Sequence, residues 1–194
     1  MTEITLKQNL NEKEDERLVS LYLETDRLII RRLNINDIDD EFELRSQKDT
    51  CLNNGYEPFE ELNEEFREFF DTLLEEPTRY AIELKDNGKM IGSIHLERKE
   101  DRAVLYYDMG YSISEDYQRN GYAYEATTAL MQFCFGELNV PLMTASTSYW
   151  NDKSMKLLDK LGFASEGVVH KAMNHDILGP VDMVSYYIEN ENVE

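Results

Sequence analysis

Several things are scarce in this chain of 194 residues, beginning with cysteine, which occurs only at Cys51 and Cys134. The two thiols are far apart and form no CxxC or zinc-type cluster, so disulfide staples and thiolate metal sites are not expected and both read as plain thiols of a reducing compartment. Long apolar runs are absent as well. The longest candidate, Ala126 to Gly136, is too short to cross a bilayer and contains Thr and Gln. Basic residues are the most telling shortage: 20 Lys and Arg stand against 40 Asp and Glu, a formal balance of -20. Binding to a phosphate backbone runs on basic side chains displacing counterions, so nucleic acid is disfavoured, and anionic membrane surfaces are disfavoured for the same reason. The three histidines, His95, His170 and His175, share no metal or triad spacing. No metal is expected, and of the three only His95, on the central hairpin, invites mutation.

Nothing in the composition calls for more than one domain, and a chain of this length buries enough surface to need no covalent staple. Residues 1–22 are polar, acidic at the start and weakly patterned, which reads as an extension rather than a secretory leader, with a cytoplasmic setting as the expectation. From Leu23 the text is ordered, giving a domain at 23–190. Leu28-Ile29-Ile30 predicts a strand, and Asn34 or Asn36 offers a cap for a helix carrying Ile38, Phe42 and Leu44. Apolar spacings of three and four from Phe59 to Leu74 predict a second helix over 59–75 with an acidic outer face. Tyr80–Leu84 and Met90–Leu96, joined by Asp86-Asn87-Gly88-Lys89, read as a hairpin. Further strands are expected at 104–113, 141–147, 163–172 and 181–188, with helices at 122–136 and from Asn151 to Gly162.

The segment from Tyr111 to Ala123 is the most informative, because there a strand runs through a short loop into a helix. Free backbone N–H groups at a helix start, backed by the positive end of the dipole, suit an anion, and Gly121 and Ala123 leave room for one to approach. The loop is neither a Walker A sequence nor a Rossmann fingerprint. Taken by itself, such a small-residue helix start also serves plain tight packing.

Its context adds meaning. Gln118-x-x-Gly121-x-Ala123 follows the strand Asp108-Met109-Gly110-Tyr111-Ser112-Ile113. Downstream come Asn151-Asp152-Lys153-Ser154 and Leu157-Leu158-Asp159-Lys160-Leu161-Gly162-Phe163. This succession resembles the GNAT superfamily of N-acetyltransferases. Leu23-Glu24-Thr25-Asp26-Arg27-Leu28, Ile91-Gly92-Ser93-Ile94, and Glu166-Gly167 with Asp182 are similar to its RimJ/RimL branch. The resemblance spans about Leu23 to Ile188. It implies an α+β fold: a mixed, mostly antiparallel twisted sheet of about seven strands, flanked by about four helices, with a splay between two central parallel strands where acetyl-CoA is held.

Residue by residue, the resemblance implies that the amides of Gln118, Arg119, Asn120, Gly121, Tyr122 and Ala123 hold the pyrophosphate. It implies too that Tyr111, Ser112 and Ile113 pair with the pantetheine and that Asn151 and Ser154 contact it; Asn151 is also a helix cap in its own right. Arg119, Lys153, Lys156 and Lys160 form either a local basic patch for the polyanionic donor or a solvated helix face. Asp108 stands where the branch commonly has Glu and is the candidate base, acting directly or through water, against the plainer reading of an exposed strand carboxylate. The tyrosine that many GNAT enzymes use as the acid is matched here by Leu158. Ser154 therefore becomes the candidate acid, with water as the alternative. Tyr56 and Glu57 are the candidate acceptor-site residues.

The implied activity is direct acetyl transfer to a primary amine. A lysine-like amine is neutral only about once in two thousand at pH 7, an α-amine roughly once in ten, so the demand on the base is modest for a protein or peptide N-terminus. That is the first acceptor expected. A polyamine or other small amine is second, and a catalytically weak CoA-binding interaction protein, monomeric or dimeric as the enzyme would be, is the rival. The acidic second helix, from Glu57 to Glu76, is either merely solvated or a field that steers a cationic acceptor.

Overall fold

The computed structural model describes residues 16–191 and 193; the beginning of the expected N-terminal extension lies outside the described residues. Eight strands form one sheet: β1 (Tyr22–Glu24), β2 (Leu28–Arg32), β3 (Arg79–Leu84), β4 (Met90–Lys99), β5 (Tyr106–Ile113), β6 (Leu142–Ser148), β7 (Ala164–His175) and β8 (Gly179–Glu189), in the order β1-β2-β3-β4-β5-β6-β8-β7. All neighbours are antiparallel except β5 and β6. The helices are α1 (Ile38–Ser46), α2 (Lys48–Asn54), α3 (Glu64–Glu75), α4 (Tyr122–Gly136) and α5 (Asp152–Lys160), with short 3₁₀ turns at Ile35–Asp37 and Glu115–Tyr117. Among the described residues no helix is long and apolar enough to cross a membrane.

The expected mixed sheet is present, with one more strand than the seven anticipated and one further helix. The added strand is β1, three residues too short to show a period. The added helix, α2, has the sequence KDTCLNN, which carries no apolar stripe; only Thr50 and Cys51 are buried, and Gly55 ends it in the left-handed conformation. Helix α3 begins later than position 59 because the Asn63 side chain caps it, accepting from Phe66 N at 3.1 Å. Asn34 is the cap at the first helical turn, where its side chain and that of Asp37 form a reciprocal capping box.

Two apolar layers sandwich the sheet. On one side α4 and α5 cover Leu28, Ile30, Tyr80, Ile82, Ile94, Met109 and Met143; on the other, α3 drives Phe66, Phe70 and Leu73 onto Leu33, Ala81 and Met90. Strand β3 shows why both layers are needed. Its alternate residues Tyr80 and Ile82 join the first layer while Ala81 joins the second, so neither face of the sheet is left to solvent there. Fully burying each of Phe66 and Phe70 is worth about 1.5–3 kcal/mol. Leu18 and Leu21 also belong to the first layer, and Tyr80 donates its hydroxyl to Leu18 O at 3.0 Å. Both cysteines are buried and free, and burial pushes their thiols up to about 11 at Cys51 and about 12 at Cys134.

Candidate active site

Strands β5 and β6 are in register only at Tyr107–Met143 and Asp108–Thr144. Beyond that point β6 stays with β8 as far as Ser148, while β5 stays with β4 as far as Ile113. The strands therefore part in mid-sheet and open a cleft of about 920 Å³. One β5 carbonyl at this opening, Ile113 O, is taken by the side-chain amide of Gln118 at 3.0 Å.

On the side of α4 the cleft ends at a loop whose backbone is shaped for an anion. Arg119 and Gly121 both have positive φ, 64° and 84°. No side chain caps α4 at Gly121, which leaves its first-turn N–H groups facing outward. Arg27 holds the loop from behind: its Nη1 donates to Asn120 O at 3.0 Å, its guanidinium pairs with Glu125 at 2.6 Å, and it lies 4.4 Å from the Tyr122 ring centre. Basic side chains gather at this end despite the acidic whole. Arg119, Lys153, Lys156 and Lys160 all line the cleft; Lys153 Nζ donates to Gln118 Oε1 at 3.1 Å and Lys160 sits 4.1 Å over the Tyr124 ring.

Deeper in, Tyr111 and Ser154 meet, with their hydroxyl oxygens 2.8 Å apart. Burial, and secondarily the Ser154 contact acting against it, leaves the Tyr111 hydroxyl pushed up to about 12, so it remains a proton carrier across the physiological range. Asn151 caps α5 by accepting from Ser154 N at 3.2 Å, which fixes the serine at the first turn of the helix. Leu158 is fully buried beneath them. Leu158, the residue that the resemblance set against an acid tyrosine, thus fills the core, and a tyrosine hydroxyl reaches Ser154 from strand β5.

Asp108 projects from β5 on the face opposite Tyr111, as an odd separation along a strand requires. Its Oδ1 accepts from Thr144 Oγ1 at 2.5 Å. Burial raises the carboxyl above the usual carboxylate range, and the Thr144 hydroxyl opposes that rise. On the same face a cross-strand row runs Arg79, His95, Gly110. The His95 ring lies flat over Gly110, since a Cβ built there would stand 2.2 Å from His95 Cε1. Burial, then the charges of Arg79 and Arg45, press the imidazole down to about 4, so it is neutral at pH 7. Arg45 comes from α1, its guanidinium 4.4 Å from the Tyr56 ring centre and 5.1 Å from that of Phe69. Burial pushes the Tyr56 hydroxyl up to about 12.

Of the residues singled out from sequence, Asp108, Tyr111, Ser112, Ile113, Gln118, Arg119, Gly121, Tyr122, Ala123, Asn151, Ser154 and Tyr56 line this one cleft. Asn120 does not: its side chain turns back to Tyr117 O and Gln118 O, and it serves through the loop's shape. Glu57, next to Tyr56, is exposed and stands outside the lining. Sequence reasoning passed over Arg45 and Arg79, and over α2, which supplies Asp49, Thr50, Asn53 and Asn54 to the wall. Helix α2 is tied to the end of β5 through Gln47, whose side chain donates to Ser114 Oγ at 2.8 Å and accepts from Glu115 N at 2.9 Å.

Residues 27–164 match the family model described as the acetyltransferase (GNAT) domain. The chain belongs to the GNAT acetyltransferases. Among relatives of this GNAT chain, the uncharacterized N-acetyltransferase YoaA of Bacillus subtilis is 32% identical over 158 residues, covering 78% of this chain and 87% of that protein. Two solved structures share the fold at low identity. The ribosomal-protein-S5-alanine acetyltransferase of Vibrio fischeri superposes with a TM-score of 0.73 at 18% identity, over 90% of this chain and 99% of that one. The spermidine N-acetyltransferase of Vibrio cholerae, solved with CoA and spermine, does so with a TM-score of 0.70 at 19% identity, over 86% and 97% of the two chains. The GNAT chain is thus an acyltransferase with a RimJ-like set of structural neighbours.

Proposed function

We propose that this GNAT enzyme moves an acetyl group from acetyl-CoA to the α-amine of a protein or peptide, in one direct step. The observation that carries the reading is the placement of Asp108 and the Tyr111–Ser154 pair on opposite faces of β5, flanking the point where the sheet opens. An amine entering from the α1 side and a donor entering from the α4 side would meet between them. The donor's fit rests on the uncapped α4 start, the two left-handed residues of its loop and the four basic side chains beside it. Bound there, acetyl-CoA supplies a thioester activated toward nucleophiles.

The rest falls to the protein. Asp108 takes the proton that the amine sheds as its nitrogen bonds to the acyl carbon, directly or through a water. As the carbon–sulfur bond breaks, Ser154 gives a proton to the departing sulfur and is resupplied by Tyr111, which takes a proton back from water as the products leave. The raised position of Asp108 suits this task, because a base closer to neutrality holds the proton better. A second reading, a polyamine acceptor, draws on the exposed acidic face of α3, where Glu64, Glu65, Glu68, Asp71 and Glu75 face solvent, and on the spermine in the Vibrio cholerae structure. Free thiol released from acetyl-CoA in the presence of peptide N-termini, polyamines and other small amines tests both. Tight donor binding without turnover on any amine would point to a CoA-binding interaction protein.

A further inference from the structure

The acceptor end of the cleft carries buried basic groups as well as the carboxylates of Asp49 and Asp108. Two guanidiniums, Arg45 and Arg79, line it, and both residues are over nine-tenths buried. Each is held to a carboxylate through Nε: Arg45 to Glu41 Oε1 at 2.8 Å and Arg79 to Glu76 Oε2 at 2.8 Å. Elsewhere in the molecule arginines with purely structural partners commit their terminal nitrogens as well, as Arg31 does while its Nε donates to Glu83 Oε2. Arg102 grips Glu166 with Nη1 at 2.6 Å and Nη2 at 2.8 Å, and Arg31 grips Asp37 with Nη1 at 2.8 Å and Nη2 at 2.7 Å. Among the described residues no hydrogen bond engages the Nη groups of Arg45 or Arg79. Their Nε anchors set the guanidinium planes, and the aromatic faces of Tyr56 and Phe69 flank the Arg45 plane without accepting a hydrogen bond. Such terminal donors, aimed by their anchors and free to meet a ligand in the cleft, suit a planar oxygen acceptor.

The neighbourhood agrees. His95 sits between the two arginines and Asp108, across from Arg79 in the β3–β4 register and over Gly110 in the β4–β5 register. Burial, with the arginine charges second, holds its imidazole neutral, so a bound amine finds beside it a hydrogen-bond acceptor that is not a competing cation. A second ammonium group reaching past the reacting amine would meet the donor ends of two guanidiniums, which offer it no hydrogen-bond acceptor.

We infer that Arg79, with Arg45 beside it, is a specificity subsite that binds the oxygen of a carboxylate or amide carbonyl attached to the carbon that bears the reacting amine, and thereby rejects polyamines. The inference rests on the acetyl-transfer reading of this cleft and narrows its acceptor to α-amino compounds. The acidic face of α3 lies outside this pocket and does not alter its interior charge.

The experiment compares alaninamide, alanine, isopropylamine and spermidine as acceptors for the full chain, with kcat/KM expressed per neutral amine. The wild-type protein should prefer alaninamide or alanine to isopropylamine by on the order of a hundredfold, since a site built around hydrogen-bond donors rejects a ligand that leaves them unpaired. Preference for alanine would assign the oxygen to a free carboxylate, and equal or better use of alaninamide to a peptide carbonyl. Arg79→Gln should cut the preference to within about tenfold while leaving KM for acetyl-CoA unmoved. It should also raise the His95 titration midpoint, read by NMR, from its position near about 4, because removing a nearby cation eases protonation. Arg79→Lys, which keeps the charge and loses the planar fork, should retain the low His95 midpoint but not the full preference, and it serves equally if the Gln variant does not fold. Isopropylamine or spermidine used as well as alaninamide by the wild type would overturn the inference, as would equal losses on all acceptors in Arg79→Gln. Should no amine turn over, calorimetric binding separates the two claims. Tighter binding of alaninamide or alanine than of isopropylamine keeps the subsite while the transferase reading fails; equal binding removes the subsite.

Discussion

The hydroxyls of Tyr111 and Ser154 face each other at 2.8 Å although 43 positions separate them in the chain. Strand β5 carries the first and the capped first turn of α5 the second, so the pair exists only because the sheet opens between them. If they act as one proton-delivery unit, Tyr111→Phe should lower kcat by about 10- to 100-fold with little change in the KM for acetyl-CoA. Ser154→Ala should fall in the same range, and the double variant should be no worse than the poorer single one. Steady-state kinetics on the three variants checks this; additive losses would mean the two hydroxyls work separately.

Asp108 yields a prediction with opposite signs for activity and stability. Its folded pKa is raised by burial, so its contribution to stability is present below the unfolded value near 3.9 and is lost as pH rises through the folded pKa. At neutral pH the ionised side chain therefore burdens the fold. Asp108→Asn should raise Tm at pH 7, lose that advantage below about pH 4, and at the same time depress turnover. Thermal unfolding at the two pH values, set beside kcat, measures both effects.

Thr144→Val bears on the same carboxylate from the other side. The Thr144 hydroxyl stabilises the ionised form, so its removal should raise the Asp108 pKa further. The acid limb of kcat/KM against pH should move to higher pH, with the plateau approached again in alkali. An unmoved limb would remove Asp108 as the titrating base.

At the donor end, Gly121→Glu should abolish acetyl-CoA binding. It puts a side chain into a backbone at φ 84°, and a negative charge where an anion is to be held. Charge reversal at Lys156, which lines the cleft, should instead weaken donor binding only partly and flatten its dependence on salt. Donor affinity by calorimetry at two ionic strengths separates the cases.

Gly92→Ala tests the sheet rather than the chemistry. A Cβ there would stand 2.2 Å from Ser112 O, a backbone atom that cannot swing aside, so the β4–β5 pairing must shift at a cost of about 3 kcal/mol. Gly88→Ala, in the hairpin turn at φ 73° with open space around it, should cost only about 1 kcal/mol. Denaturant unfolding of the two variants ranks them.

What could be read along the chain was whatever repeats at short range. The short apolar runs of β2 to β4, the three-and-four spacing of Phe66, Phe69, Phe70 and Leu73, and the small residues Gly121 and Ala123 all act within a few positions of themselves. The parallel pair and its splay were legible only through the resemblance, since no local pattern says which strands meet. Helix α2 escaped notice because its one buried turn carries no stripe. Tyr56 and Glu57, adjacent in sequence, part company because the chain leaving α2 turns Tyr56 under Arg45 and leaves Glu57 outside. The arginine wall was invisible for the same reason as the hydroxyl pair: Arg45 and Arg79 come from a helix and a strand 34 positions apart, brought together by the sheet.

The two-rung pairing of β5 with β6 gives the enzyme an unfinished ladder at its centre. Past Asp108 the cleft-side backbone of β5 has no strand beside it and, apart from Ile113 O, which Gln118 takes, its polar groups exchange with water, whereas β3 and β4 are zipped on both sides. A ligand that lies along that gap completes the ladder, and the middle of the molecule should stiffen as it does. Hydrogen exchange at β5 past Asp108 would then slow far more on donor binding than exchange at β3, making the sheet itself a gauge of occupancy.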